Sequence, residues 1–363
     1  MKVAIIHYWL INRRGGEKVL EALCEIFPHA DIFTHVYQED KFRESIISKH
    51  NIYTTFISKL PFSSKLYQAY LPLMPLALEE LDLSGYDLII SSESGPAKGI
   101  IPPPGIPHIC YCHSPMRYAW DMYGQYKSKM GIVKRIISSP LLHYIRRWDQ
   151  LTSQQVTSFI ANSNFVSSRI KSYYARESCV IHPPVDVTTF DLSNNSEDFY
   201  LILGQLVSYK RVDIAIKAFN INQKKLIIIG EGEQLNELKK IAHPNIQFLG
   251  YQPFSEIKNY LMKCKALIFP GIEDFGIVPV EAMSCGKPVI AYAKGGALDS
   301  IINHETGLLF YEQTEDCLNK AIVDFEEHFS VFPDKIRQHA LSFSKEVFKE
   351  KITKHINTYL EKV

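Results

Sequence analysis

Phe269-Pro-Gly-Ile-Glu-Asp-Phe-Gly-Ile-Val-Pro-Val-Glu-Ala-Met-Ser-Cys-Gly-Lys-Pro-Val-Ile-Ala291 reads as strand, loop, helix, turn and strand. Ala266 to Phe269 is a short apolar run that Pro270-Gly271 ends. Pro279 suits the first turn of a helix, where its missing N–H removes no helical bond. Gly286 suits the end of that helix, and Pro288 cannot continue it. Val289-Ile290-Ala291 is strand-like again. Glu273 and Glu281 bracket the loop with seven residues between them. Gly276 lets backbone N–H groups approach a ligand closely, and a helix N-terminus favours an anion such as a diphosphate. A phosphate group is therefore expected at Phe275, Gly276, Ile277 and Val278. A carboxylate on either side would take hydroxyls, so the pattern suggests a sugar nucleotide.

The whole stretch resembles the E-x7-E signature of the family 4 retaining glycosyltransferases, which have the GT-B fold. That resemblance implies an α/β protein with two Rossmann-like domains facing across a cleft.

The rest of the chain bounds this reading. With 363 residues it suits two domains rather than one core. Hydrophobic residues make up 46% and charged residues 22%, as in a soluble globular protein. A net charge of +1 gives no global sign of nucleic acid. The seven cysteines lack a disulfide-like spacing. Cys110 and Cys112 read as reduced core thiols of a cytosolic protein, with zinc a poor second. Met1-Lys2 leads straight into an apolar strand without a signal peptide. No apolar run reaches the roughly 18 residues of a membrane span.

In the first half, the strand Val3 to Leu10 runs through Gly15-Gly16 into a helix carrying Val19, Leu20 and Leu23, the opening of a Rossmann-like unit. In the family the equivalent loop borders the donor diphosphate, and Gly15, Gly16 and Glu17 match it. Residues 54–80 resemble an acceptor-side helical insertion; a core helix pair explains them equally. Tyr86 to Ser92 is a strand ending in small polar residues, at the usual ligand edge of an α/β sheet. Tyr111-Cys-His-Ser-Pro-Met-Arg-Tyr-Ala-Trp-Asp121 looks like a block of a bacterial subgroup of the family. There a His reaches the transferred sugar and donor phosphate, a role the resemblance gives to His113. Arg117 is then an anion-binding candidate, with Tyr118, Trp120 and Asp121 as an acceptor wall. Basic and aromatic residues from Tyr123 to Trp148 suit an amphipathic segment on an anionic bilayer, or a solvated helix face.

Polar residues 191–198 have the composition of a linker, and strand–helix alternation then restarts. Gly204-Gln-Leu-Val-Ser-Tyr-Lys210 resembles the family's G-R-L-x-x-x-K block, in which a basic pair holds the diphosphate. Lys210 matches. Gln205 replaces the usual Arg, and Arg211 is the candidate to restore the charge. Gly230 lies in a Gly-rich turn near the donor, and Tyr251 ends a strand that resembles the nucleobase slot. Residues 345–363 form an amphipathic helix expected to return to the first domain.

The expected domains are 1–190, 191–344 and the returning helix 345–363. The resemblance implies transfer of a hexose with retention, best mannose from GDP-mannose, onto a lipid-linked saccharide of a bacterial surface polysaccharide. Glu273 would hold sugar hydroxyls, Glu281 the ribose, and His113 the sugar. No metal or other cofactor is expected beyond the nucleotide-sugar substrate. The protein is expected in the cytoplasm, and a lipid-linked acceptor would bring it to the inner face of the membrane. The alternatives are a UDP-sugar donor, a sugar-nucleotide epimerase using Glu93 and Asp121, or a non-catalytic sugar-nucleotide-binding protein.

Overall fold

The computed structural model describes residues 1–13, 15–121 and 132–361, and only the backbone of 132–138. It divides the chain into two compact units, Met1–Pro184 with the chain from Phe348 on, and Val185–Val347. The polar stretch 191–198 thus belongs to the second unit.

The first unit holds β1 (Val3–His7), β2 (Asp31–Thr34), β3 (Ile52–Thr54), β4 (Leu88–Glu93), β5 (His108–Cys112), β6 (Ser158–Ala161) and β7 (Ser178–Val180). They form one parallel sheet in the order β3-β2-β1-β4-β5-β6-β7. Val3 and Ile5 of β1 enter one apolar cluster, and Ala4 and Ile6 enter another. A strand buried on both faces must be a continuous apolar run, and VAIIH is one. The chain order reverses between β1 and β4, and at such a switch the strand ends open a crevice. His7, Ser92 and Glu93 lie at those ends, with His113 one residue past β5.

The second unit holds β8 (Tyr200–Leu203), β9 (Leu226–Ile229), β10 (Ile246–Gly250), β11 (Ala266–Phe269), β12 (Val289–Tyr292) and β13 (Gly307–Phe310). Its parallel order is β10-β9-β8-β11-β12-β13. Leu201, Leu267 and Val289 face one cluster, whereas Ile202, Ile268 and Ile290 face the other. Its switch falls between β8 and β11, and the opening stretch leaves β11 there.

The helices that place the site are α1 (Gly15–Ile26), α2 (Ile132–Thr152), α3 (Asn164–Tyr174), α4 (Ile277–Ser284) and α5 (Lys345–Leu360). Helix α5 sets Phe348, Ile352 and Ile356 into the cluster of Val3 and Ile5, at the four-residue spacing that keeps them on one face. Lys349 pairs with Glu25 at 3.1 Å and His355 meets Ser158 at 2.9 Å.

Residues 54–80 form short helical turns that bury Ile57, Met74 and Ala77 in a cluster with Ile11 and Val36. No described helix is long and apolar enough to cross a membrane. The amphipathic reading of 123–150 falls partly outside the described residues, which exclude Tyr123, Tyr126, Lys127 and Lys129. Of its described members, Trp148 is buried and donates to Glu79, and Arg146 donates to the Ala119 carbonyl at 2.8 Å. Both are turned into the protein, whereas Arg147 is exposed. Cys110 and Cys112 are fully buried thiols, and burial pushes their pKa values up.

His35 and His108 are also buried. Burial lowers His35 from 6.5 to about 4; burial, then the Lys98 charge, lowers His108 from 6.5 to about 3. Below pH 6.5 the unfolded chain therefore binds protons that the folded chain does not. Their contribution is complete above that pH and is lost as pH falls toward the folded values. At pH 5 each costs about 2 kcal/mol relative to pH 7. Urea unfolding at the two pH values should show this drop, and His108→Gln should reduce it. An unchanged slope in that variant would refute the assignment.

Candidate active site

In the second unit, Gly276 precedes α4, and its φ of 84° is left-handed backbone that glycine adopts at little cost. A side chain there would also press on the Phe269 ring, 2.9 Å from the position of a Cβ. Ile277 and Val278 follow in the first turn, where backbone N–H groups lack intrahelical acceptors. Pro279 is third, and Gly286 follows the helix at φ 76°. Where β8 and β11 end, a small, partly open recess is lined by Gly204, Gln205, Lys210, Pro270, Gly271 and Glu273, with Ile202, Val212 and Phe269 as its apolar wall.

Lys210 Nζ stands 2.8 Å from Glu273 Oε1, both largely buried. The two residues assigned separately to phosphate and sugar are therefore an ion pair in the free protein. Arg211 does not line the recess. Its guanidinium is held by Asp213, at 3.1 and 3.2 Å, and by Gln313 at 3.3 Å, and its backbone is left-handed at φ 49°. In the free protein Arg211 is thus paired away from the recess, Gln205 is exposed, and Lys210 is the cation among the lining residues. Gly230 ends the neighbouring strand, where its N–H donates to the Gly250 carbonyl at 2.9 Å. Tyr251 stands exposed just past β10, Phe275 is buried, and Glu281 is half-buried on α4.

In the first unit, His113 is pinned at both ends of its backbone. Its N–H donates to the Glu93 carbonyl at 2.7 Å, and its carbonyl accepts from Asn162 Nδ2 at 2.9 Å. The ring bonds Ser92 Oγ through Nε2 at 2.9 Å and meets the edge of Tyr111. Burial, reinforced by His7, lowers its pKa to about 3, so the ring is neutral at pH 7. Gly15 and Gly16 open α1 beside it. A Cβ on Gly16 would run into Tyr8 Oη and come within 3.8 Å of His113 Nε2. Gly16→Ala is therefore expected to cost about 1–3 kcal/mol by overpacking. Adding Tyr8→Phe should recover part of that in thermal unfolding; no recovery would place the strain elsewhere.

The loop after His113 is held from below by a buried polar network. Lys98 Nζ pairs with Asp149 and, at 3.5 Å, with Glu93. Asp149 also accepts from Trp120 Nε1 at 2.7 Å and Tyr174 Oη at 2.9 Å. Arg169 binds Ser114 at 3.0 Å and Asp121 at 2.5 Å. Trp120 stacks on Tyr173, and Tyr118 Oη donates to Met116 Sδ. Trp120 is thus packed and bonded, Asp121 pairs with Arg169 but stays exposed, and Arg117 is half-buried at the loop. Glu93 is fully buried and ion-paired, which removes it as the solvent-facing acid or base an epimerase needs. Ser92, Asn162 and Arg169 carry positions that motif reading missed; only the polar strand end around Ser92 signalled them.

Residues 13–189 match the family model described as Glycosyltransferase Family 4, and residues 189–338 that of Glycosyl transferases group 1. An uncharacterized glycosyltransferase of Methanocaldococcus jannaschii is 26% identical over 79% of this chain and 77% of its own length. An alpha-1,3/1,6-mannosyltransferase of Saccharomyces cerevisiae is 26% identical over 54% of this chain. The chain spans only 48% of that relative's length. Among solved structures, sucrose-phosphate synthase from Thermosynechococcus elongatus superposes with a TM-score of 0.73 at 16% identity, covering 100% of both chains. An Anabaena protein in complex with UDP-glucose gives 0.71 at 18% identity, covering 99% of this chain and 100% of the other. At these identities the structural likeness concerns the fold. With both halves matched by the family models and two parallel Rossmann-like units in place, the chain is a glycosyltransferase of family 4 with the GT-B fold.

Proposed function

We propose that the protein transfers mannose from GDP-mannose, with retention, onto a lipid-linked saccharide during bacterial polysaccharide synthesis. The observation that carries the donor site is the Lys210–Glu273 pair in a recess at the ends of β8 and β11. A nucleoside diphosphate takes Lys210 and the N–H groups after Gly276, which stabilise the charge that develops on the departing diphosphate. Glu273, released from Lys210, accepts sugar hydroxyls, and Glu281 accepts those of the ribose. From the first unit, His113 orients the sugar. The acceptor hydroxyl attacks the anomeric carbon on the face the diphosphate leaves. Its proton passes to a diphosphate oxygen, so no covalent enzyme intermediate forms. Mannosyltransferase names among the relatives favour mannose. The likeness to a UDP-glucose complex supports the second reading, a UDP-sugar donor.

Thermal shift against GDP, UDP and their sugars tests the choice, because a ligand that binds the folded state raises its apparent stability. GDP and GDP-mannose should give the larger shifts. A shift with UDP compounds alone would reject GDP-mannose.

A further inference from the structure

Ser92 is fully buried on β4, and its Oγ has one hydrogen-bond partner among the described residues, His113 Nε2 at 2.9 Å. A hydroxyl carries one proton and two lone pairs. If Oγ accepted a proton from Nε2, its own proton would point into the protein without an acceptor. An unmet buried donor costs about 1–3 kcal/mol, whereas a spare lone pair on an oxygen already bonded is tolerated. The hydroxyl therefore donates, Nε2 accepts, and the neutral ring must carry its proton on Nδ1. Nδ1 has no hydrogen-bond partner among the described residues. The hydrogen bonds with Glu93 and Asn162 fix the main chain of His113, and the edge contact with Tyr111 packs against its ring.

We propose that Ser92 is a positioning residue that fixes His113 as the Nδ1–H tautomer, so that the ring offers the ligand a hydrogen-bond donor and not a base. This rests on the reading of His113 as a ligand-facing residue. The group it recognises is an oxygen acceptor of the donor substrate, either a hydroxyl of the sugar or an oxygen of the phosphate. The neutral state of the ring agrees, since burial keeps the imidazole from charging at pH 7. The adjacent Ser91 makes the corresponding contact on the opposite face of β4, to His108 Nε2 at 2.8 Å. There, however, Nδ1 is buried without a partner, so a proton on it would be unmet and that pair serves the core.

Ring-nitrogen NMR of protein labelled with 15N-histidine tests the tautomer without requiring turnover; His113 is assigned by the signal that His113→Gln removes. The expected spectrum has the His113 proton on Nδ1. Ser92→Ala should move it to Nε2 or mix the two forms, and Ser92→Thr should keep it on Nδ1. A wild-type proton on Nε2, or an unchanged tautomer in Ser92→Ala, would overturn the proposal. Adding GDP, then GDP-mannose, locates the acceptor: perturbation of Nδ1–H by GDP points to phosphate, and perturbation by GDP-mannose alone points to sugar. No perturbation by either would refute the ligand-facing role. In turnover, Ser92→Ala should lose about 10- to 100-fold in kcat with donor KM little changed, and Ser92→Thr should restore most of it. A wild-type protein that consumes no donor rejects the transferase reading, while the tautomer result stands by itself.

Discussion

Lys210→Ala is expected to lower kcat/KM for the nucleotide sugar by about 10²–10³-fold, measured as donor consumption. The size follows from removing a preorganised cation from the place where the departing diphosphate gathers charge. No neighbour compensates. Gln205 is uncharged, and the Arg211 guanidinium is occupied by Asp213 and Gln313. Lys210→Arg keeps the charge but not the reach, so it should recover only part of the loss. Arg211→Ala should stay within about threefold of wild type, in line with a half-exposed ion pair. If Arg211→Ala proved as damaging as Lys210→Ala, the diphosphate would be bound in a different geometry.

Glu273→Ala should separate binding from turnover. In the free protein the Glu273 carboxylate neutralises Lys210 at 2.8 Å, so a nucleoside diphosphate has to displace it. Removing it frees the cation, and GDP should bind about 2- to 5-fold tighter, as expected from losing a competing, partly exposed ion pair. Transfer should nevertheless fall about 10²-fold, because the sugar hydroxyls lose their acceptor. Titration calorimetry gives the first quantity and donor consumption the second. Weaker GDP binding in Glu273→Ala would contradict the competition between the two partners. The double variant with Lys210→Ala should lose less than the sum of the two, since the residues share one interaction.

The element pattern was legible because buried parallel strands have little freedom in composition. Ala266–Phe269 and Gly307–Phe310 lie where the apolar runs place them. Other strands are shorter than their apolar runs: β1 stops at His7, where the chain turns toward the Gly15-Gly16 loop, although the run continues to Leu10. Strands β3 and β7 were invisible, since each has three residues and faces solvent, which leaves no period to detect. Helix α4 could be read because Pro279 and Gly286 punctuate it by backbone chemistry alone.

The site was less legible. Glu273, Lys210 and His113 were singled out by their motifs, but the partners of their side chains were not. That Lys210 would pair with Glu273 depends on how β8 and β11 lie side by side, and these are more than sixty residues apart in sequence. Arg211 looked available because the sequence does not say that its backbone is left-handed and its side chain turned to Asp213. Trp120 and Asp121 looked like ligand-facing groups for the same reason, while the structure gives them Asp149 and Arg169. A motif marks the residue, and its charge balance is decided by tertiary neighbours.

The most direct test is to incubate the purified protein with GDP-mannose, and separately with UDP-glucose, and to follow release of the nucleoside diphosphate without acceptor. Slow hydrolysis of GDP-mannose that Lys210→Ala abolishes is the expected result. Absence of hydrolysis with either donor, or hydrolysis of GDP-mannose unaffected by Lys210→Ala, would contradict a transferase whose donor site is built on the Lys210–Glu273 pair.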